Sequence, residues 1–120
     1  MHVKRIVADL FADNPDEVKK FYKDVLGLDV LMDVGWIVTF GTNELMPVQL
    51  NIGLEGGSGT RLPDLSIEVD DLDEVIKRVR SFGVAIEYGP VIEPWGVRRF
   101  YVKDPAGNML NILQHESPIN

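Results

Sequence analysis

The strongest constraint on this chain is that its second half repeats its first. Residues 13–18 read DNPDEV and residues 70–75 read DDLDEV, an offset of 57. Further on, the tripeptide LNI stands at 50–52 and again at 110–112, an offset of 60. Self-similarity at a fixed spacing marks one supersecondary unit used twice, so whatever the first half folds into, the second must nearly reproduce. At 120 residues there is material for one core and too little for two independent domains. The expectation is a single domain over 1–120, built from units at about 2–54 and 62–114.

Within each half the elements follow in the same order. An apolar strand-like run comes first, at 6–12 and at 65–69. A helical pattern follows. Val18, Phe21, Tyr22, Val25 and Leu26 make one helix face, and Leu72, Val75, Ile76, Val79 and Phe82 make the matching stripe. Asn14, Pro15 and Glu17 read as an N-cap, a first-turn proline and a capping-box acid, and Asp71 with Glu74 repeats the device. Gly27 and Gly83 stand where a left-handed residue ends a helix. Three strand candidates then follow in each half, at 28–32, 36–40 and 48–54, and at 84–88, 98–103 and 109–113. The segment PVIEPWG at 90–96 can hold the extra residues that separate an offset of 57 from one of 60. The fold class is therefore α+β, two βαβββ units whose mixed, curved four-stranded sheets each carry a helix on one face. The other face is left bare and has to be buried or line a cavity. The glycine-rich stretch GLEGGSGT at 53–60 reads as a flexible connector. It lacks the Lys-Ser/Thr ending and following helix of a phosphate loop.

Composition removes several classes of function. No cysteine is present, so disulfides and thiolate metal sites are out and a reducing cytoplasm is compatible. The opening MHVKRIVADLFADN meets acidic residues too soon for a signal peptide, and no window approaches the roughly 20 apolar residues of a membrane span. A net charge of −7 argues against a nucleic-acid partner and favours a cationic over an anionic small molecule. The serines at 58, 66, 81 and 117 have no histidine in a triad-like pattern.

Taken with the βαβββ repeat, FYKDVLGLDV at 21–30, VDDLDEVIKRVRSFGV at 69–84 and RRFYVKDPAGNMLNIL at 98–113 make the chain similar to the glyoxalase/bleomycin-resistance/dioxygenase superfamily, the vicinal oxygen chelate fold. The DPAGN stretch is equally a good hairpin turn, with Pro105 presetting φ and Gly107 free to be left-handed. In enzymatic members the resemblance implies a divalent metal held by His, Glu or Gln at four strand positions. Here those positions fall on Val7, on Asn51 or Gln49, on Asp64, and on Asn111. Val7 has no donor atom. Transition metals of such sites want imidazole and carboxylate, whereas one carboxylate and two amides hold at best a hard cation weakly. No metal and no cofactor are expected, with a divalent cation at Asn51, Asp64 and Asn111 left open. His2 and His115 lie near the termini and miss the four positions.

Binding chemistry falls to aromatic and polar side chains. Trp36, Trp95 and Tyr101 are expected beside the bare faces with Val7, Gln49 and Asn51, and with Asp64 and Asn111, whereas Phe40 and Phe100 read as core. Arg98 and Arg99 point to opposite sides of their strand, and Arg99 is either an anion or carbonyl contact or half of a surface salt bridge. Asp64 is either a general base in an apolar cavity or a solvated strand-start residue. The resulting expectation is a metal-free, bleomycin-resistance-type binding protein, a cytoplasmic homodimer that sequesters an aromatic, drug-like or cationic ligand. The alternatives are an enzyme of the same superfamily (lyase, isomerase or dioxygenase, or metal-free with Asp64 as base) and a protein whose bare face meets another protein.

Overall fold

A computed structural model describes residues 1–25, 27–43, 49–104 and 107–116. Leu26, Val48, Pro105 and Ser117 lie outside the described residues, as do the side chains of Phe21 and Val25. Residues 7–62 form one compact unit, and residues 1–6 group with 63–120 in the other. They are called here the first and second units.

In the first unit the strands are β1 (Val3–Phe11, whose residues from Val7 belong here), β2 (Asp29–Asp33), β3 (Ile37–Gly41) and β4 (Gln49–Gly53), in the order β2-β3-β4-β1. β1 and β4 run parallel and the other pairs antiparallel. The helix α1 (Pro15–Lys20) supplies the crossover that a parallel pair requires. Side-chain alternation then sorts the strands. Val38, Phe40 and Ile52 are buried on the helix side with Val18, Tyr22, Leu28, Val30 and Leu50 packed against them. The Tyr22 and Phe40 rings lie 5.5 Å apart. The second unit repeats this plan with β5 (Leu65–Val69), β6 (Ile86–Glu93), β7 (Val97–Lys103) and β8 (Met109–His115), in the order β5-β8-β7-β6, and with α2 (Leu72–Ser81). β5 and β8 are parallel. Its core is Val69, Leu72, Ile76, Phe100, Val102 and Ile112. Two mixed, curved βαβββ sheets, each with a helix on one face, are thus the architecture.

Several local expectations are corrected. The first helix stops early: after Lys20 the backbone widens into a π-helical turn over Phe21–Val25 before Gly27 turns left-handed at φ 70°. The Asn14 amide bonds the Glu17 carboxylate at 3.3 Å rather than capping a backbone N–H. α2 is textured as predicted at its start, where the Asp71 carboxylate accepts from Glu74 N at 3.1 Å. At its end, Gly83 N reaches Arg80 O and Val84 N reaches Val79 O, the paired bonds of a Schellman motif. Phe82, expected on the apolar stripe, is the C-cap and is 85% exposed, because the chain turns away one residue too soon for its ring to reach the sheet.

β1 begins at Val3 rather than Ile6, since Lys4 and Arg5 are held by ion pairs to Glu68. β6 starts later than expected and takes in residues 90–93, which were expected to be loop. The additional residues are absorbed as bulges, at the register shifts between Ile86 and Tyr88 and between Tyr88 and Val91. Gly89 makes this possible. Its φ is 78°, and a Cβ there would stand 2.6 Å from the Arg99 carbonyl. Within residues 53–60, Gly56 N donates to Thr60 O at 2.8 Å and Thr60 Oγ1 to Gly57 O at 2.6 Å, closing a tight turn.

Candidate functional site

The face of each sheet away from its helix was expected to be partly apolar and to be buried or line a cavity. In both units it carries buried polar side chains. In the first unit Asp9 and Thr39 both stand opposite Asn51, one on each neighbouring strand. Thr39 Oγ1 donates to Asn51 Oδ1 at 2.5 Å, and Asn51 Nδ2 donates to Asp9 Oδ1 at 2.6 Å. All three side chains are buried. Val7, two residues before Asp9 on the same side of β1, is buried as well. Gln49 is half-buried two residues before Asn51, opposite Gly41. Trp36 is half-buried just before β3, its carbonyl accepting from Leu54 N at 2.9 Å.

The second unit gathers three of the expected residues around a buried charge pair. Arg99 is 3% exposed and Glu93 4%. The guanidinium meets Glu93 Oε2 through Nη2 at 2.7 Å and Nε at 3.0 Å, so the expected anion contact is satisfied from within. Three rings surround Arg99: Trp95 at 5.0 Å, Tyr101 at 5.1 Å and Tyr88 at 5.4 Å. Its Nη1 donates to Tyr101 Oη at 3.2 Å, and Tyr88 Oη donates to Glu93 Oε1 at 3.1 Å. The aromatic box is therefore filled by the protein's own cation. The Pro94-Trp95-Gly96 turn, with Gly96 at φ 93°, is what lets Trp95 fold over that cation. Arg98 faces the other way and pairs with Asp73 at 3.0 Å.

Beside this box, Ser66 on β5 and Tyr101 on β7 both stand opposite Asn111 on β8. Asn111 Nδ2 donates to Ser66 Oγ at 3.2 Å. Asn111 Oδ1 is buried and has no partner among the described residues. Asp64 is exposed before β5, with its Oδ2 accepting from Met109 N at 2.7 Å and its own N–H donating to Met109 O. That geometry is a strand-end clasp. Further along β5, Glu68 takes Lys4 at 3.4 Å, Arg5, and His115 Nδ1 at 3.1 Å. Burial pushes the Glu68 carboxyl up, but the hydrogen bond and charge of Arg5, helped by His115, outweigh it and hold the group below the usual carboxylate range.

The residue types do not fit a transition-metal centre. In the first unit Val7 offers no donor, and both ends of the Asn51 amide are already hydrogen-bonded. In the second, the Asp64 carboxylate is engaged with backbone and Asn111 offers a neutral amide oxygen, a weak ligand for Fe, Ni or Zn. Among the described residues no three His, Cys, Asp or Glu side chains are grouped for a metal.

Asp9, Thr39, Ser66, Glu68, Tyr88 and Glu93 escaped the sequence reading. Asp9 and Ser66 were within reach, since they are related by the repeat's offset of 57 and lie two residues beyond Val7 and Asp64. Glu93 was hidden because its segment read as loop.

Two βαβββ units of this topology define the class of protein. The chain belongs to the glyoxalase/bleomycin resistance protein/dioxygenase superfamily, whose model matches residues 2–112. Among curated proteins none matches the sequence significantly. Solved structures similar in fold include a superfamily member from Vibrio splendidus 12B01, with 20% identity, TM-score 0.64 and coverage of 95% of this chain and 99% of that one. The Streptomyces coelicolor methylmalonyl-CoA epimerase in complex with 2-nitronate-propionyl-CoA is 15% identical at TM-score 0.75, covering 97% and 100%. A Legionella pneumophila protein described as an NAD-dependent benzaldehyde dehydrogenase is 18% identical at TM-score 0.75, covering 93% and 100%. At these identities the likeness concerns the fold alone. No helix among the described residues is long and apolar enough to cross a membrane.

Proposed function

We propose that this protein is a metal-free binding protein for a small aromatic molecule, which it sequesters rather than transforms. The observation that carries the reading is the commitment of Asn51: its amide is hydrogen-bonded at both ends, to Thr39 and to Asp9, which fixes it as framework and makes it a poor ligand for a transition metal. Ligand contacts fall instead to Trp95, Tyr101 and Asn111 of the second unit, with Arg99 held rigidly behind the rings by Glu93. Rigid aromatic walls with a few fixed polar groups are how small-molecule sites are commonly built.

A metal-free enzyme of this fold would need a base. Four carboxylates on or next to these faces are engaged: Asp9 with Asn51, Asp64 with Met109 N, Glu93 with Arg99 and Tyr88, and Glu68 with Lys4, Arg5 and His115. This favours binding over turnover, and drug sequestration of the bleomycin-resistance kind is the corresponding role. We place the protein in the cytoplasm as a homodimer. The end of β1 supports the dimer because Leu10 and Phe11 are large, exposed apolar side chains.

Elemental analysis of the purified protein tests the metal-free reading. Stoichiometric Fe, Ni, Mn or Zn that a chelator removes with loss of stability overturns it. A thermal-shift panel of planar aromatic compounds tests binding, since a ligand at a hundredfold excess over Kd stabilises the fold by about 2.7 kcal/mol. Size-exclusion chromatography with light scattering showing a monomer at micromolar concentration removes the dimer.

A further inference from the structure

The two copies of the repeat treat one amide differently. In the first unit Asn51 Oδ1 receives the Thr39 hydroxyl and Asn51 Nδ2 is spent on Asp9. In the second unit Asn111 Nδ2 is spent on Ser66, yet Asn111 Oδ1 accepts nothing from any described residue, although Asn111 is only 8% exposed. The reason lies in what stands opposite. Thr39 is replaced by Tyr101, whose hydroxyl lies beyond the neighbouring strand position and takes a hydrogen bond from Arg99 Nη1 instead. Buried carbonyl oxygens almost always find a donor, so one left open beside an aromatic ring is a place where a donor from outside the protein, a ligand or a water that it displaces, can bind.

The surroundings narrow the donor. Along β8 on the same face the neighbours are Met109 and Leu113, both buried and apolar. Opposite lies Tyr101, with the Arg99 guanidinium against its ring. A cationic ligand would approach that guanidinium, whose carboxylate partner Glu93 is already taken, and an anion would meet the carbonyl oxygen. We propose that Asn111 Oδ1 is the acceptor for an N–H or O–H group of a neutral planar ligand whose ring lies against Tyr101, as in an aromatic amide, a lactam or a phenol. This rests on the metal-free binding reading above, and it replaces the cationic ligand favoured by net charge with a neutral one.

Matched probes test it on the full chain. Acetanilide and N-methylacetanilide, and indole and N-methylindole, differ by one N–H. Titrations followed by the side-chain amide and carbonyl signals of Asn111 in NMR are expected to show the N–H member binding at least tenfold tighter and shifting those signals. Asn111→Leu is expected to abolish the preference while leaving weak ring binding. Equal affinity within each pair, unmoved Asn111 signals on binding, or a preference that survives Asn111→Leu overturns the proposal. So does benzyltrimethylammonium binding more tightly than acetanilide. If Asn111→Leu does not fold, the matched pairs on the native chain decide alone. Binding without donor preference removes only this inference, whereas no binding by any probe removes the aromatic-ligand reading as well.

Discussion

Asp9, Asn51 and Thr39 in the first unit and Ser66, Asn111 and Tyr101 in the second hold equivalent positions across the same three strands. The first trio closes on itself through two short hydrogen bonds. The second is opened by two exchanges. Serine in place of Asp9 removes a charge, and tyrosine in place of Thr39 moves the hydroxyl out of reach and onto Arg99. Under the proposed function, the duplicated scaffold keeps one copy as framework and lets the other take the ligand, because sheet geometry depends on the helix-side core, which both copies retain.

The sharpest way to break this comparison is at the charge pair that only the second unit carries among the described residues. Glu93→Ala leaves the Arg99 guanidinium buried without its counter-ion, and we expect a loss of about 3–5 kcal/mol in urea unfolding. A loss below 1 kcal/mol would mean that the rings, rather than the carboxylate, hold Arg99. Next comes the closed trio. Thr39→Val keeps shape but orphans Asn51 Oδ1, making the first unit mimic the second, and should cost about 1–3 kcal/mol. Tyr101→Phe, which removes one hydroxyl from Arg99 and none from Asn111, should cost about 1 kcal/mol. Equal costs for the two would remove the distinction between a closed and an open trio.

The helix starts differ in the same direction. Asp71 accepts a backbone N–H, so Asp71→Ala should cost about 1 kcal/mol. Asn14 touches only the Glu17 side chain in the bond it makes, so Asn14→Ala should cost no more than a few tenths of that. Chemical denaturation of both variants checks the pair, and a full capping cost at Asn14 would restore the symmetry that the sequence suggests.

How much of this was legible follows from which interactions are local. The repeat, the alternation of Arg98 and Arg99, the Asp71 cap and the glycine ends of the helices are set by near neighbours and could be read directly. Phe82 shows the limit: its spacing fits the stripe, but whether a terminal residue still reaches the sheet depends on the Schellman turn after it. β6 shows another, because a strand that absorbs its surplus in bulges looks like a loop when only alternation is counted. The aromatic cluster around Arg99 was half visible. Trp95, Arg99 and Tyr101 could be named from residue type, but that they enclose a buried ion pair depended on Glu93, which pairs across the hairpin. Likewise, residue identity alone could not distinguish Asn51 from Asn111; their partners on adjacent strands do that.

The smallest expected effects concern acid. Glu68 in the second unit and Asp33 in the first both titrate below their usual range. Asp33 is lowered by its hydrogen bond from Lys19 at 2.8 Å and by the Gly35 N–H, and Glu68 by Arg5 and His115 against the opposing pull of burial. A carboxyl whose folded pKa is depressed binds fewer protons folded than unfolded. Its stabilisation is therefore complete above the unfolded value, near 4.5 for Glu68 and 3.8 for Asp33, and disappears as pH falls through the folded value. Stability measured from pH 6 down to pH 2.5 should fall, and Glu68→Gln should flatten that fall. Asp33→Asn should barely change it, because Lys19 and Asp33 are a solvent-screened pair. Salt separates the two further. Raising ionic strength to 1 M, where the screening length is about 3 Å, should erase the Asp33 contribution and leave most of the Glu68 one, since only Glu68 is shielded from water by the strands around it. If the acid limb follows Asp33 instead, the buried face of the second unit is wetter than its packing implies, and the donor-seeking Asn111 beside it would have to be reread as a solvated amide.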